Sequence, residues 1–385
     1  MINTKTEQAI SIISSCIGEK GVWASSNRYA NQCWTRDFCI ATCHLFLHNH
    51  LLENLTIVEL HLTNLMLKQR SNGSIPILFL DNEKEFLRDK ISKSIKTGSI
   101  SFMLDRYLND RLEDLTPHTR DSEVLFVITV CEYLLCYIQI NDTTTIKNDT
   151  YHICQLYNAA CKAINYIESN ITISRLIHGA DWRDVREDLN DKTVLTNACL
   201  LFQAYKLLSV VQMKFENGIM WTLTKEKASY ISEYISNNFW NGTYFIDYPG
   251  TDNFDLLGNS LAIRFFLTND EQKESIFNYA MTLSGPNGIK TTEIFLPALN
   301  QKEKEIMERD SAVIWPFTNG FMLEAMLCSG MSNWVDIAKK EFIKWENLDG
   351  FYEWYDIVDG NGYGSKDQVW SAALYLRVKD AIDKN

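Results

Sequence analysis

The chain has 385 residues, of which 46% are hydrophobic and 22% charged, a balance that indicates a globular protein with a large core and excludes a disordered chain. Its net charge of −12, with no basic patch to offset it, disfavours a nucleic-acid partner. The N-terminus lacks the pattern of a signal peptide and no stretch reaches the roughly 18 apolar residues of a membrane span, so we expect a cytoplasmic protein with no membrane partner.

Helices dominate the predicted elements, because apolar residues recur at three- and four-residue spacing and the chain has only 6 prolines. In chain order the predicted helices span residues 5–17, 37–49, 53–69, 101–109, 121–139, 150–169, 193–213, 225–239, 255–267, 270–284, 317–329, 333–345 and 367–381. Strand signals are short. Pro76 favours an extended Ile75–Phe79, and Tyr244–Tyr248 follows an Asn-Gly turn as one arm of a hairpin. The most apolar stretch, Val124–Ile140, carries Glu132 and is predicted to be a buried core helix.

The arrangement of these helices has two candidate architectures. No linker rich in Pro, Gly or Ser divides them, so we predict a single all-α domain over residues 1–385. About a dozen helices suit an α-solenoid or a closed ring of helix pairs. A solenoid should repeat every 34 to 47 residues or so, and the sequence shows no such repeat. The interhelical loops are rich in Trp, Asp, Glu, Asn and Gly, which predicts a site at one end of the scaffold.

The first of four notable segments runs from Asn27 to Phe38 and contains Trp34-Thr35-Arg36-Asp37, where a helix is predicted to begin. The helix dipole stabilises an acid such as Asp37 in a first turn, but that does not account for the neighbouring Trp34 and Arg36. An aromatic face beside an Arg–Asp pair is a usual way to hold a sugar ring. We therefore assign Trp34, Arg36 and Asp37 to substrate binding.

The second segment, His118 to Glu123, opens the helix predicted at 121–139, and taken alone it is better explained by Asp121 or Thr119 as an N-cap than by a functional role. In the third segment, Asp181 and Asp184 flank Trp182 and Arg183. One interpretation is a solvated loop with internal ion pairs. The other makes one aspartate a general acid, whose pKa would be raised by partial burial beside the indole and lowered by nearby arginines.

The fourth segment places Glu353 among the aromatic residues of Phe351–Tyr355, ahead of a glycine-rich loop and the stretch Gln368-Val369-Trp370-Ser371. A carboxylate with aromatic walls can activate a water or stabilise a positive ring carbon, whereas the plainer interpretation is an aromatic cluster that closes the fold. Hydrolysis of a glycosidic bond needs two carboxyl groups, one to protonate the leaving oxygen and one to act on water or the sugar. Glu353 with Asp184 or Asp181 could form that pair.

No metal or cofactor is expected. The ten cysteines include no CxxC pair, and most lie in apolar helical patterns typical of reduced, buried thiols. The cluster of His44, His48 and His50 near Cys43 lies on an apolar helix, which argues against a zinc site. The chain also lacks a phosphate-binding GxxxxGK[ST] loop, a GxGxxG turn after a strand and a GxSxG nucleophile motif.

The order of these motifs from about residue 27 to 377, with Trp315-Pro316-Phe317-Thr318-Asn319-Gly320 between the third and fourth, resembles that of the alkaline/neutral invertases. It is also similar to the amylo-α-1,6-glucosidase domain of glycogen debranching enzymes and, more distantly, to trehalases and processing α-glucosidases. The resemblance implies an (α/α)6 barrel, six inner and six outer helices with short β pieces in its loops. It also implies an inverting glycoside hydrolase that cleaves an α-glucosidic or sucrose-type bond in a small neutral saccharide.

The resemblance also assigns roles to residues. Trp182-Arg183-Asp184 matches a family segment whose last residue is the general acid, whereas a trehalase-like spacing, with Gly179 two before the acid, selects Asp181. Glu353 matches the general base. The positions expected to line the sugar pocket match Arg36, Asp37, Trp182, Asn319, Gln368 and Trp370, and we add Trp34 and Asp121 from their motifs.

The chain also departs from these families. It is shorter than a typical member, and Thr193 to Asn197 stand where invertases carry a Gly-His-Pro-type segment, which puts sucrose specificity in doubt. Two other functions stay open. A sugar epimerase or isomerase on the same scaffold would use a histidine, His118 or His178, as its acid–base group. A non-catalytic carbohydrate-binding helical protein would bind sugars without turnover.

Overall fold

A computed structural model of the chain describes residues 4–49, 52–110, 112, 119–140, 150–184, 186–215, 220–291 and 313–385. The helices are α1 (Lys5–Cys16), α2 (Cys43–His48), α3 (Leu55–Leu67), α4 (Glu83–Thr97), α5 (Phe102–Leu108), α6 (Ser122–Ile140), α7 (Thr150–Tyr166), α8 (Leu195–Phe215), α9 (Met220–Asn238), α10 (Leu256–Arg264), α11 (Asp270–Thr282), α12 (Pro316–Leu327), α13 (Ser332–Asn347) and α14 (Val369–Asp383). A π-helical segment, Asp37–Thr42, leads directly into α2, and a second, Ile167–Ile171, follows α7.

The strands form short antiparallel pairs in the loops. The pairs are β1 (Gln32–Trp34) with β2 (Leu78–Leu80), β3 (Thr172–Ile173) with β4 (Leu176–Ile177), β5 (Ser284–Gly285) with β6 (Gly288–Ile289), and β7 (Tyr352–Tyr355) with β8 (Gly362–Lys366). The predicted extended stretch around Pro76 leads into β2, and the predicted hairpin arm makes isolated bridges from Phe245 to Trp240 and from Ile246 to Phe254. Each pair therefore holds a loop in place on a helical scaffold.

Six helices form a closed inner ring. Asp37–Thr42 with α2 packs on α6, and the ring continues through α8, α10, α12 and α14 back to Asp37–Thr42. Each inner helix also packs on an outer helix that is its neighbour in sequence, except that α14 pairs with α1 from the other end of the chain. The outer helices are α1, α3, α7, α9, α11 and α13. This arrangement confirms the prediction of an (α/α)6 barrel and rules out the open solenoid.

Burial explains which helices lie inside. Every residue of α12 is buried, whereas α1 buries only Ala9, Ile13 and Cys16, and its other residues are partly or fully exposed to solvent. Because a helix that is apolar all round must be covered on all sides, α12 belongs in the inner ring and α1 outside. By length and composition α6 could cross a membrane, but 72% of its most apolar window is buried inside this ring, as the predicted core helix requires.

The helix α4 is the main element that the apolar pattern failed to predict. It buries only Phe86 and Lys90, so it has almost no apolar stripe to detect. Its ends do carry signals: Asn82 accepts a hydrogen bond from the Glu85 amide as an N-cap, and Gly98 ends the helix in the left-handed conformation. Along the chain, α4 and α5 come between β2 and α6, and neither belongs to the six inner or the six outer helices.

Candidate active site

Hydrogen bonds join the starts of the inner helices at one end of the ring. Gln368, the N-cap of α14, donates its Nε2 to Asp37 at the start of the first inner helix, 2.7 Å away. Thr196 at the start of α8 donates to Asp255, the N-cap of α10, over 2.8 Å. Thr291 and Thr318 make a similar contact beside α12 at 3.1 Å. The predicted motifs lie at these helix starts, so the ring brings them to one end.

Glu353 is the most firmly held carboxylate at this end. It lies on β7 with 9% of its surface exposed. Its Oε2 accepts the Ser365 amide at 2.8 Å, its Oε1 accepts the Tyr29 hydroxyl at 3.3 Å, and Arg28 Nη1 lies 4.0 Å from Oε2. Burial raises the pKa of Glu353 and so does the charge of Asp184, while Arg28, Ser365 and Tyr29 oppose the rise. The raised pKa means that Glu353 holds a proton more tightly than an exposed glutamate does.

Asp37 is a second buried carboxyl group close to the first. Burial raises its pKa to about 8, the charges of Glu353 and Asp184 add to the rise, and Arg36 opposes it. Asp37 opens the π-helical segment, whose first residues lack the usual backbone acceptors, and Gln368 donates to its Oδ1. Because the charge of each affects the others, Asp37, Asp184 and Glu353 share one electrostatic environment.

Arg36 connects the first predicted motif to the second and the third. Its guanidinium makes two hydrogen bonds with Asp121, from Nε to Oδ2 and from Nη2 to Oδ1, and its Nη1 lies 3.6 Å from Asp184 Oδ2. Both members of the Arg36–Asp121 pair are buried, whereas the Asp184 side chain keeps 29% of its surface exposed. The pair therefore gives Arg36 a fixed orientation, and Asp184 reaches from it towards solvent.

Asp181 lies in a different environment from Asp184. Its carboxylate is fully buried and accepts hydrogen bonds from Arg183 Nη2 at 2.8 Å and Nε at 2.9 Å. The other side of the Arg183 guanidinium donates to both oxygens of Asp247, at 2.7 and 2.8 Å. Arg183 thus joins the third motif to the loop before α10. The internal ion pair considered for this loop exists at Asp181, and it is buried.

The predicted aromatic residues pack mainly against one another. Trp182 meets Trp315 and Phe317 edge-on, with ring centroids 5.1 and 4.8 Å apart, and Trp370 stacks on Phe317 at 4.3 Å. Trp182 and Trp370 are both 4% exposed, and neither indole N–H has an acceptor among the residues that the structure describes. A buried N–H of this kind calls for a water or a ligand hydroxyl, so this cluster is both a wall and a potential contact surface.

Two other predicted contact residues have partners within the protein. Asn319 is 6% exposed and pairs with the Ile289 backbone in both directions at 2.8 Å, so it holds the hairpin of β5 and β6. Trp34 is half-buried, meets Tyr29 edge-on at 5.7 Å, and donates to Gln32 at 3.3 Å. Trp34 thus borders the tyrosine that contacts Glu353, whereas Asn319 is engaged with backbone.

Sequence reasoning missed the residues that hold Glu353. Tyr29 and Arg28 stand in the first motif, but hydrogen bonding to a residue 324 positions away leaves no mark in a single sequence. Ser365 acts through its backbone amide, which any residue type could supply. The glycine-rich loop before it was a usable signal, because Gly364 has a φ of +75° and a Cβ there would lie 2.5 Å from Glu353 Oε2.

One of the two histidines predicted for an epimerase lies within the described part of the chain. His178 is half-buried, and its Nδ1 lies 3.3 Å from the Thr193 hydroxyl, while His118 and His50 lie outside the described residues. Among the residues that the structure describes, no three His, Cys, Asp or Glu side chains are grouped as metal ligands. Asp37, Asp184 and Glu353 are the interacting carboxyl groups at the end of the ring where the inner helices begin.

Comparison with known proteins finds likeness in structure alone. No family model and no curated protein matches the sequence. A wild-type glycosidase aligns over 98% of this chain and 96% of its own at 10% identity, with a TM-score of 0.63, and a glycosidase variant in complex with glucose gives 0.65 over the same shares. The GH63 mannosylglycerate hydrolase from Thermus thermophilus, in complex with Tris and D-glycerate, aligns over 97% of this chain and 99% of its own at 11% identity, with a TM-score of 0.63. These alignments show a shared (α/α)6 barrel fold.

Proposed function

We propose that the protein is an inverting glycoside hydrolase that cleaves an α-glucosidic or sucrose-type bond in a small neutral saccharide. The observation that carries the proposal is the position of Glu353, held on both oxygens and electrostatically coupled to Asp184 and Asp37. This site lies at the end of the ring where the inner helices begin, in a fold shared over nearly its full length with glycosidases. The predicted epimerase and binding-protein functions lack a comparable observation.

In the proposed reaction Asp184 is the general acid and Glu353 the general base. Asp184 gives a proton to the glycosidic oxygen as the bond to the anomeric carbon breaks, and Glu353 takes a proton from a water that attacks that carbon from the opposite face. The product has the inverted anomeric configuration, with one carboxyl group left ionised and the other protonated. An inverting pair needs space for the water, roughly 6.5–9.5 Å between the carboxyl groups.

The choice of Asp184 over Asp181 rests on access and charge balance. Asp181 is fully buried and its oxygens are taken up by Arg183, so protonating it would leave a buried arginine short of a partner. Asp184 is partly exposed, and Arg36, which lies 3.6 Å from it, also pairs with Asp121. Protonation of Asp184 therefore leaves Arg36 with a buried carboxylate partner.

The charges around Glu353 support a neutral substrate. The raised pKa of Asp37 favours its neutral form at pH 7, and Asp184 carries a proton when it acts as the acid, so the ionised Asp121 and Glu353 balance Arg28 and Arg36. The ionised Glu353 stabilises the positive charge that develops on the anomeric carbon in the transition state. Balanced charges of this kind suit an uncharged ligand, so we propose a neutral glycoside rather than one that carries a carboxylate.

The test is hydrolysis of sucrose, maltose, isomaltose, trehalose and mannosylglycerate, read by released monosaccharide, with the anomer of the product followed by proton NMR. We expect turnover of a neutral glycoside with inversion, and loss of about a thousandfold or more in kcat for both Glu353→Gln and Asp184→Asn. Asp191→Asn, an exposed aspartate nearby in sequence, is the matched control and should keep full activity. Full activity of Glu353→Gln would contradict the proposal, as would retention of configuration.

A further inference from the structure

Three residues, Ser365, Ser25 and Tyr29, are linked by hydrogen bonds into a chain that begins at one oxygen of Glu353 and ends at the other. Ser365 donates its amide to Oε2 and its hydroxyl to Ser25 Oγ, both over 2.8 Å. Ser25 Oγ also accepts the Tyr29 amide at 3.1 Å, and the Tyr29 hydroxyl donates to Oε1. Both serines are buried, with 0% and 1% of their surfaces exposed. The Ser25 hydroxyl is thus the point at which the two supports of Glu353 meet.

Ser25 is itself anchored to a rigid part of the fold. Its backbone pairs with that of Gln368, the N-cap of α14, and the preceding Ala24 carbonyl accepts the Val369 amide at 2.8 Å. At the start of the loop after Ser25, the Asn27 and Tyr29 amides both donate to the same hydroxyl. Removing that hydroxyl would take two hydrogen bonds from the loop that carries Arg28 and Tyr29 without removing any group that touches Glu353.

We propose that Ser25 is a positioning residue for Glu353, acting through Ser365 and Tyr29 to set the orientation and the proton affinity of that carboxylate. Arg28 and Tyr29 stabilise the charged form of Glu353, and burial opposes it. If the loop loosens, those two contributions weaken and burial remains, so Glu353 holds its proton to a higher pH. This inference rests on the proposed function, in which Glu353 must be ionised to act as a base.

The experiment measures kcat and kcat/KM from pH 4 to 9, on a substrate that the wild-type enzyme cleaves, for Ser25→Ala, Ser365→Ala and the double variant. We expect kcat to fall about tenfold with little change in KM, and the acid limb of the profile to move up by about half a pH unit or more. Since both changes remove the same serine–serine hydrogen bond, the double variant should resemble Ser25→Ala and the effects should not add.

The matched control is Ser371→Ala. Ser371 is equally buried, and its hydroxyl donates 2.8 Å to the Tyr352 carbonyl on the strand that carries Glu353, yet it lies outside the path. Ser371→Ala, Ser25→Ala and Ser365→Ala each lose a buried hydrogen bond, so each should lower the thermal midpoint. Ser371→Ala should leave the pH profile of kcat unchanged.

A profile of Ser25→Ala that coincides with the wild-type profile would overturn the inference, and so would additive effects in the double variant. If Ser25→Ala fails to fold, Ser365→Ala decides by a smaller shift in the same direction, because it breaks the serine–serine hydrogen bond but leaves the Asn27 and Tyr29 amides on Ser25. An active Glu353→Gln refutes the proposed function itself, whereas an inactive Glu353→Gln with an unmoved serine profile refutes only the role of Ser25.

Discussion

At the scale of single residues, two aspartates three positions apart have opposite surroundings. Asp181 is enclosed with Arg183 in a buried pair, whereas Asp184 is partly exposed and borders Arg36. The chain makes a tight turn between them, in which the Asp184 amide donates to the Trp182 carbonyl at 2.9 Å. Substitution of Asp181 should therefore lower mainly the stability of the fold, and substitution of Asp184 should lower mainly the rate of turnover.

Asp181→Asn should destabilise the fold by about 3 kcal/mol, because it leaves the charge of Arg183 only partly compensated in the interior. Urea unfolding followed by circular dichroism measures this free energy. Asp191→Asn, at a position with 75% of its side chain exposed, should unfold at the wild-type midpoint. Equal midpoints for the Asp181 and Asp191 variants would show that the buried pair contributes nothing to stability.

Much of the candidate site could be predicted from residue types and their order. The motifs that contain Arg36, Asp121, Asp184 and Glu353 do converge, although the sequence could not separate Asp184 from Asp181. That separation depends on Asp247, 66 positions beyond Asp181, which shares Arg183 with it. A pairing of this kind depends on the folded geometry, so one sequence cannot reveal it.

At the scale of elements, the hairpin of β7 and β8 determines where Glu353 lies. Tyr352 pairs with Lys366 and Trp354 with Tyr363, so the register shifts by one residue opposite Glu353. The strand β8 approaches closely there, and its Gly364 leaves no space for a side chain beside the carboxylate. A bulge beside a functional side chain is a usual way to direct it.

Gly364→Ala should therefore reduce turnover more than it reduces stability. The new Cβ would lie 2.5 Å from Glu353 Oε2 and must displace it, and a left-handed alanine costs about 1 kcal/mol. Gly98→Ala is the matched control, because Gly98 has a φ of +71° with open space around it. Comparing kcat and thermal midpoints should show a lower midpoint for Gly364→Ala, because the new Cβ would also lie 2.7 Å from Glu353 Cβ, and a large loss of kcat only at Gly364. Equal kcat values would contradict the steric role.

Most of the helices could be predicted, because twelve of them must bury a face in a ring and so show a regular apolar spacing. The helix α4 was not predicted because its surface is almost wholly polar. The strands β7 and β8 were not predicted because their aromatic residues and glycines conceal the alternation of apolar and polar residues that marks a strand. Short strand pairs in loops depend on register with a distant partner. The pattern of a single segment therefore carries little information about them.

At the scale of the whole molecule, buried carboxyl groups link stability to pH. Burial raises the pKa of Asp37 to about 8, of Glu123 and Glu132 to about 7, and of Asp255 to about 6. Each binds its proton more tightly folded than unfolded, so its stabilising effect is full below the unfolded pKa and is lost as the pH rises through the folded pKa. Buried His61, with a pKa lowered to about 3, acts in the opposite sense as the pH falls below 6.5.

The thermal midpoint should therefore fall by a few degrees between pH 6 and pH 8 at constant ionic strength. Differential scanning calorimetry in matched buffers measures this fall. Asp37→Asn cannot ionise, so its midpoint should depend less steeply on pH over that interval than the wild-type midpoint does. A midpoint that rises from pH 6 to pH 8 would show that these carboxyl groups are ionised in the folded protein.

The ring closes between α14 and the segment that begins at Asp37, where Gln368 and Asp37 meet across 331 positions of the chain. Glu353 also depends on Tyr29, so the candidate site combines residues that are translated 324 positions apart. During synthesis the nascent chain can form helix pairs one after another, but it cannot assemble this carboxylate cluster until α14 has left the ribosome. Chains that stop before α14 are therefore expected to be inactive, and activity reports synthesis through α14 and ring closure together.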